Sequence, residues 1–351
     1  MSDSLSLDSY RLLGRSGLRV SPLALGTMTF GETWGAEEAD SRRIFDAYVD
    51  KGGNFIDTAG YYAKGRSEEL TGKFAREKRG QLVLSTKYSL PVEQGNPNGA
   101  GNGRKNMMHT VEASLKRLGT DYIDLFFLHV WDATTPADEI LRGFDDLIRQ
   151  GKIAYIGISD TPAWEVARLQ TIAELRGWTQ FTALQVEYSL LQRTTERDLI
   201  PAAKALGLGV MPWSPLASGL LSGKYATGAT ALADPAGGRR DMLTAVGRIT
   251  PAVTAVADTV KAVADELGAT SAQVALAWAL TNQAVTAPLI GARTLRQLDD
   301  NIGALGVNLT GAQLARLDEI SRIELGFPHD FLAYDFIRHG LAGGTKLRGR
   351  G

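Results

Sequence analysis

The sequence predicts an α/β fold, a (β/α)8 barrel that forms one domain over residues 1–351. Two observations support this class. First, apolar runs of four to seven residues alternate with segments of helical period, and there are eight such runs. This alternation is typical of βα units around a parallel sheet. Second, ionisable residues end several consecutive runs, which is where a barrel places its active site.

The eight predicted strands, in chain order, are Leu23–Gly26, Asn54–Asp57, Leu82–Thr86, Tyr122–His129, Ile153–Ile158, Ala183–Val186, Gly209–Trp213 and Thr286–Ile290. Amphipathic segments lie between them, as in Ser41–Lys51, where Ile44, Phe45 and Tyr48 recur at helical spacing. A doubly wound sheet also accommodates eight such strands. We favour the barrel because no G-x-G-x-x-G follows the first strand.

Segments outside the eight units complete the predicted fold. Residues 10–20 read as a β-hairpin turning at Gly14–Gly17, which we expect to plug one end of the barrel. Gly311–Ile320 predicts one extra C-terminal helix, and residues 332–351 a tail rich in glycine and aromatics. The connection Ser214–Pro251 is long, and long connections in compact domains tend to be functional.

Composition excludes several classes of function. The 38 basic and 39 acidic residues leave a net charge of -1, so we expect no nucleic-acid or membrane partner. The absence of cysteine excludes disulfides, thiol nucleophiles and thiolate metal sites. No apolar run reaches the length of about 18 residues that spans a bilayer. The first nine residues lack the pattern of a signal peptide. These features together predict a cytoplasmic protein.

Asp57, Lys87 and His129 end the second, third and fourth predicted strands. They should therefore converge on one side of the barrel mouth. Tyr62 lies in the loop after Asp57. A phenol has a pKa of about 10, and a neighbouring ammonium lowers it towards the range of efficient proton transfer. We expect Lys87 to supply that charge.

The remaining two residues complete this chemistry. Asp57 can hold Lys87 by ion pairing, and His129 can hydrogen-bond a substrate oxygen. Such a set protonates an oxygen as it becomes an alkoxide, which is what the acceptor of a hydride requires. It contains neither an obvious nucleophile nor a metal triad, so no metal is expected.

Short motifs in this order resemble the aldo-keto reductase family. Gly52–Tyr62 resembles the family signature that carries the catalytic Asp and Tyr. Ser85–Lys87 and Asp121–His129 resemble the segments that carry the family's Lys and His. The likeness continues through Gly157–Asp160, Gln185–Ser189, Trp213–Ala217, Gly219–Tyr225 and Gly291–Thr294, and spans about Tyr10 to Phe331.

The resemblance implies an NADPH-dependent enzyme that reversibly reduces aldehydes or ketones. Tyr62 would be the general acid, Lys87 would tune it, Asp57 would pair with Lys87, and His129 would orient the carbonyl. Ser159, Asp160 and Gln185 would hold the nicotinamide carboxamide, and Trp213 would stack on the nicotinamide ring.

The expected cofactor contacts extend to other strand ends and loops. Arg293 and Thr294 begin a predicted helix, and a helix start beside a guanidinium suits a phosphate. The resemblance places the adenosine 2′-phosphate there, with Gln297 and Asn301 near the adenine. The other expected cofactor residues are Gly26, Thr27, Met28, Ser214, Leu216, Gly219, Lys224 and Gly291. Segment Ser214–Pro251 resembles a clasp over the cofactor, and it includes Arg239 and Arg240.

Two residues depart from the family pattern, and the substrate pocket is read from composition alone. Gly60 stands where a polar residue is more frequent, and Asp160 replaces the commoner Asn, which turns an amide donor into an acceptor. Trp34, Tyr88 and Trp131 are expected to bind the substrate. Met28, Tyr61 and Trp164 can also border the pocket, which suggests an apolar or cyclic carbonyl compound.

Two other functions remain open at this point. A barrel glycosidase would use two carboxylates such as Asp57 and Glu187, but it would leave Lys87 and the cofactor-like segments unexplained. A regulatory subunit that binds NADPH on the same fold would keep the four polar residues without turnover. The sequence does not separate this second function from an enzyme.

Overall fold

The computed structural model describes residues 5–32, 34–224, 227 and 249–345. Its strands are β1 (Arg11–Leu12), β2 (Arg19–Val20), β3 (Ala24–Gly26), β4 (Phe55–Asp57), β5 (Val83–Tyr88), β6 (Ile123–Leu128), β7 (Ile153–Ser159), β8 (Ala183–Glu187), β9 (Gly209–Trp213) and β10 (Leu289–Ile290).

The described helices are α1 (Glu38–Asp50), α2 (Arg66–Ala75), α3 (Arg104–Leu118), α4 (Ala137–Arg149), α5 (Ala163–Arg176), α6 (Leu199–Leu206), α7 (Pro251–Leu267), α8 (Ser271–Thr281), α9 (Leu295–Gly303), α10 (Gly311–Ile320), α11 (His329–Ala333) and α12 (Asp335–Leu341). None of these helices is long and apolar enough to cross a bilayer.

Eight parallel strands form the barrel. Their hydrogen-bonded order is β10-β3-β4-β5-β6-β7-β8-β9. The ring closes between β9 and the segment before β10, where the Thr286 amide donates to the Val210 carbonyl over 2.8 Å. The (β/α)8 barrel predicted from the sequence is therefore confirmed. Each strand exists where it was predicted, with ends that differ by a few residues.

Side chains that alternate along the strands build two apolar layers. One layer fills the barrel and includes Phe55, Leu125, Phe127 and Met211, all inaccessible to solvent. The other lies between the sheet and the surrounding helices. Because successive strand residues point to opposite faces, each strand contributes to both layers. The rigid ring that results holds the strand ends in fixed positions.

The N-terminal hairpin plugs the amino-terminal end of the barrel, as predicted. Strands β1 and β2 pair antiparallel, and Leu13 and Val20 are fully buried within the apolar layer inside the barrel. The Arg15 amide donates over 2.9 Å to the carbonyl of Gly207, which follows α6 and precedes β9. The hairpin thus covers this end of the barrel, and the polar strand ends lie at the opposite end.

Helices outside the eight units pack on the side of the barrel. The predicted extra helix Gly311–Ile320 is α10, and it packs against α7, which the sequence analysis did not identify. Part of the predicted tail, residues 332–351, forms α12 and the end of α11, and Phe327, Phe331 and Phe336 nearby are exposed.

The plug yields a stability prediction. Leu13→Ala should lower the free energy of unfolding by about 2–5 kcal/mol, because it leaves a cavity in the barrel interior. Leu12→Ala is the matched control, since Leu12 is 58% exposed and its truncation should cost less than about 0.5 kcal/mol. Urea denaturation measures both variants. Equal losses would show that Leu13 does not seal the barrel.

Candidate active site

Lys87 lies at the centre of the polar cluster inside the barrel mouth. Its side chain is fully buried, and an ammonium has three donors to satisfy. Lys87 Nζ donates to Asp57 Oδ2 over 2.6 Å, to the Thr58 carbonyl over 2.8 Å and to the Tyr62 hydroxyl over 3.3 Å. All three donors are therefore used, and one of them connects the buried charge to the phenol.

Asp57 is held from both sides of its carboxylate. While Oδ2 accepts from Lys87, Oδ1 accepts from Ser85 Oγ over 2.7 Å and from Gln185 Nε2 over 3.1 Å. Residues Ser85 and Gln185 stand on β5 and β8, so Asp57 links three strands of the ring. The sequence analysis missed Ser85 and assigned Gln185 only to a cofactor. No motif indicated that both would orient this carboxylate.

The loop that carries Tyr62 is held in an unusual conformation. Ala63 and Lys64 have φ values of 48° and 53°, in the left-handed region that non-glycine residues rarely adopt. Below the loop, Arg117 Nε contacts Glu68 Oε2 over 2.6 Å, and Thr86 Oγ1 donates to Glu68 Oε1. A Cβ at Gly60 would lie 3.0 Å from Arg117 Nη2, so a residue with a side chain here would require Arg117 to shift slightly.

Burial and charge set the protonation states in this cluster. Burial raises the pKa of Tyr62 above its usual value, and the Lys87 ammonium offsets this only in part. The sequence analysis expected the opposite direction, which is wrong because it ignored desolvation. Burial lowers the pKa of Lys87, but the charge and hydrogen bond of Asp57 and the contact with Tyr62 together outweigh it, so that the pKa rises. Lys87 therefore stays an ammonium and Tyr62 a neutral phenol at neutral pH.

His129 completes the polar cluster as a neutral ring. Burial and the nearby Lys87 charge lower the pKa of His129 to about 3. Its ring stands edge-on to that of Tyr62, with the two centroids 6.0 Å apart. A neutral imidazole and a phenol backed by an ammonium can both donate to one oxygen that gains negative charge. The four polar residues predicted from the sequence are thus brought together.

The ends of β7 and β9 form a second polar surface at the mouth. Ser159 Oγ is buried and has no hydrogen-bond partner among the described residues, which suits an amide ligand. Asp160 has a φ of 40°, and its Oδ1 accepts from Trp213 Nε1 over 3.0 Å. A nicotinamide carboxamide, which has both donors and an acceptor, fits this pair of side chains.

The end of β10 and the start of α9 provide an exposed cationic corner. Thr294 Oγ1 caps the helix by accepting a hydrogen bond from the backbone N–H of Gln297. The side chain of Gln297 in turn accepts, through Oε1, from the backbone N–H of Arg293 over 2.8 Å. Arg293 Nη1 donates to the Trp34 carbonyl. Asn301 is buried and donates to the Gly291 carbonyl, so this side chain supports the turn. The start of this helix beside the exposed Arg293 fits a phosphate.

The other expected cofactor residues occupy the same end of the barrel, and several also have structural contacts. Thr27 is buried and its hydroxyl contacts Ser67 Oγ, whereas Met28 is 46% exposed. Ser214 Oγ accepts from the Ser218 amide. Gly26 ends β3, Leu216 and Gly219 lie in the turn after β9, and Lys224 is exposed. Tyr225 and the segment from Gly237 to Arg240, including Arg239, lie outside the described residues.

Two of the three expected substrate residues lie at the mouth. Trp34 is 44% exposed, and Trp131 is half-buried and edge-on to the exposed Trp164 at 5.4 Å. The third residue, Tyr88, does not face the mouth, so its assignment to the substrate pocket is corrected. It is buried in the outer apolar layer, where it stacks on Phe126. Since Lys87 points into the barrel, the next residue on the strand must point away from it.

The neutral state of His129 is directly testable. Because its pKa lies far below the usual value, the imidazole resonances of His129 should not shift between pH 8 and pH 5 in a histidine NMR titration. The His129→Asn variant assigns the signal among the four histidines. A midpoint near 6.5 would contradict the burial and the proximity to Lys87 described above.

Comparison with known proteins agrees with this geometry. The profile described as "Aldo/keto reductase family" matches residues 22–322, which include all eight barrel strands. At 42% identity, "Uncharacterized oxidoreductase YrpG" of Bacillus subtilis aligns over 89% of this chain and 95% of its own length.

Two fungal relatives have more specific names. "Norsolorinic acid reductase" of Aspergillus flavus is 34% identical over 93% of this chain and 84% of its own length. An aryl-alcohol dehydrogenase of Phanerodontia chrysosporium, whose name specifies NADP(+), is 34% identical over 89% of this chain and 86% of its own length. With the barrel and its polar mouth, these matches show that the chain belongs to the aldo/keto reductase family of oxidoreductases.

Proposed function

We propose that this protein reduces aldehydes or ketones to alcohols with NADPH, reversibly, and that Tyr62 is the proton donor. The observation that carries this proposal is the contact of 3.3 Å between Lys87 Nζ and the Tyr62 hydroxyl. It couples a phenol that keeps its proton at neutral pH to a permanent positive charge. Proton donation to a forming alkoxide requires that combination.

Each residue of the cluster has one part in this reaction. Tyr62 donates its phenolic proton to the carbonyl oxygen, and the Lys87 ammonium stabilises the phenolate that remains. His129, as a neutral donor, orients the same oxygen. Asp57 keeps Lys87 charged and in place. When bound, the nicotinamide cofactor supplies the hydride that the carbonyl carbon accepts.

The proposed cofactor is NADPH rather than NADH. Ser159 and Asp160 would hold the carboxamide, Trp213 would stack on the ring, and Arg293 with the start of α9 would bind the 2′-phosphate. The guanidinium of Arg293 is exposed beside Trp34, which leaves it accessible to an anion. A doubly charged phosphate gains more from this corner than a hydroxyl does.

The mouth favours an aromatic substrate. Trp131 lies two residues after His129 and contacts the exposed Trp164 edge-on, and Trp34 is also exposed. Aromatic pairs gain stability by stacking or edge-on contact. The names of two relatives refer to an aryl alcohol and to norsolorinic acid. We therefore propose aryl aldehydes and aryl ketones as the first substrates to test. The cytoplasmic location expected from the sequence stays a prediction.

Two alternatives are weaker. Glycoside hydrolysis is disfavoured because both oxygens of Asp57 are occupied by Lys87, Ser85 and Gln185. A regulatory subunit that binds NADPH without turnover would use the same surface, and it is the second candidate.

Loss of the Tyr62 hydroxyl tests the proposed reaction. Tyr62→Phe should lower kcat for an aryl aldehyde by about 10²–10⁴-fold, because general acid catalysis contributes that much. The Kd for NADPH should change little. NADPH absorbance measures turnover, and Tyr10→Phe is a control on a distant tyrosine that bonds Gly52. Tight NADPH binding without turnover of any carbonyl by the wild type would favour the regulatory subunit.

Removal of the Arg293 guanidinium tests the choice of cofactor. Arg293→Ala should raise KM for NADPH roughly 10–100-fold, the value of one or two hydrogen bonds to a charged group. KM for NADH should change less than about threefold. Arg316→Ala, on α10, is a control that also removes one exposed guanidinium. Equal increases for both cofactors would contradict the assignment of Arg293 to the 2′-phosphate.

A further inference from the structure

Asp160 occupies a position that its neighbours fix closely. It follows β7, and its carbonyl and carboxylate face the ends of two other strands. The Trp131 amide, after β6, donates to the Asp160 carbonyl, and Trp213 Nε1, at the end of β9, donates to Asp160 Oδ1 over 3.0 Å. The backbone of Asp160 is thus held at the end of β6, and its carboxylate is held against the indole of Trp213.

The Asp160 carboxylate also interacts electrostatically with Lys87 and Tyr62 of the polar cluster. Although Asp160 is exposed, partial desolvation raises the pKa of its carboxyl above the usual value, and the hydrogen bond from Trp213 and the Lys87 ammonium offset this only in part. The Asp160 charge in turn contributes to the raised pKa of Tyr62. When ionised, Asp160 is therefore a negative charge beside the cluster, and the proton transfer does not use it.

We infer that Asp160 tunes the nicotinamide: its carboxylate binds the oxidised cofactor in preference to the reduced one and makes the bound reduced form a stronger hydride donor. This inference rests on the proposed function. Loss of a hydride, which is one hydrogen nucleus with two electrons, converts the neutral dihydronicotinamide into a cation. The hydride forms the new C–H bond of the alcohol, and the proton from Tyr62 goes to its oxygen. A fixed anion beside the ring stabilises the cationic side of this equilibrium.

Polarity supports the same assignment. Asp160 only accepts hydrogen bonds when ionised, so it suits the amide NH2 of a carboxamide, whereas the unpartnered Ser159 hydroxyl suits the carbonyl. An asparagine would make the contact with Trp213 through its amide oxygen without a charge. It also tolerates the φ of 40° that Asp160 adopts. Asp160→Asn therefore removes the charge and little else.

The experiment compares the binding of the two redox forms with full-length protein. Isothermal titration calorimetry gives Kd for NADP+ and for NADPH in the wild type, in Asp160→Asn and in Asp160→Gly. The matched control is Asp138→Asn, which removes one exposed carboxylate in the first turn of α4. Thermal unfolding without nucleotide checks that each variant is folded. Asp160→Gly also fits the backbone if the asparagine variant fails to fold.

If the Asp160 charge acts on the nicotinamide, its removal should change the ratio of the two dissociation constants. A purely structural role of Asp160 would leave this ratio unchanged. Kd for NADP+ divided by Kd for NADPH should rise about tenfold in both Asp160 variants, which corresponds to about 1.4 kcal/mol. In Asp138→Asn this ratio should stay within about twofold of the wild type.

Other results would overturn the inference or the proposed function on which it rests. If Asp160→Asn weakens both nucleotides by the same factor, or changes neither, Asp160 only orders Trp213 and the inference is overturned. A rise of similar size in Asp138→Asn would also overturn it, because net charge would then be the cause. If the wild type binds neither nucleotide, the proposed function itself has failed.

Discussion

The buried ion pair between Lys87 and Asp57 is the constraint on which the active site depends. Removing an ammonium from water costs several kcal/mol, so Lys87 persists inside the barrel only because every donor is used. Asp57 meets this requirement because Ser85 and Gln185 hold its other oxygen. The partners come from β4, β5 and β8, and only a closed ring of strands brings these ends together. The barrel fold thus provides the contacts that keep the Lys87 charge in the site.

The ion pair also explains the protonation states around it. Lys87 stays charged because of Asp57, and burial together with that charge lowers the pKa of His129, which therefore stays neutral. Tyr62 keeps its proton because burial outweighs the attraction of the ammonium. A neutral phenol, a neutral imidazole and a fixed cation form a site suited to the proposed proton donation to an oxygen, and none of them is a nucleophile poised to attack carbon. Asp160 adds a negative charge on the side where the cofactor is proposed to bind.

Much of this arrangement was predictable, and the exceptions have physical reasons. The strands and Asp57, Lys87 and His129 follow from local pattern, because a parallel barrel fixes where strand ends meet. Tyr88 was assigned to the wrong face because the alternation that turns Lys87 inwards was not applied to its neighbour. The direction of the Tyr62 pKa was missed because desolvation depends on packing. Glu68 and Arg117, which support the Tyr62 loop, contact each other across 49 residues, and such pairing leaves no local signal.

A double-mutant cycle between Lys87 and Tyr62 tests the central claim most directly. The kcat/KM for an aryl aldehyde is measured in Lys87→Met, in Tyr62→Phe and in the double variant, with thermal unfolding and NADPH binding as checks on folding. If the ammonium acts through the phenol, the double variant should be no more than about threefold worse than the worse single variant, as for residues that act as a unit. Losses that multiply would contradict the account, because the two residues would then act independently.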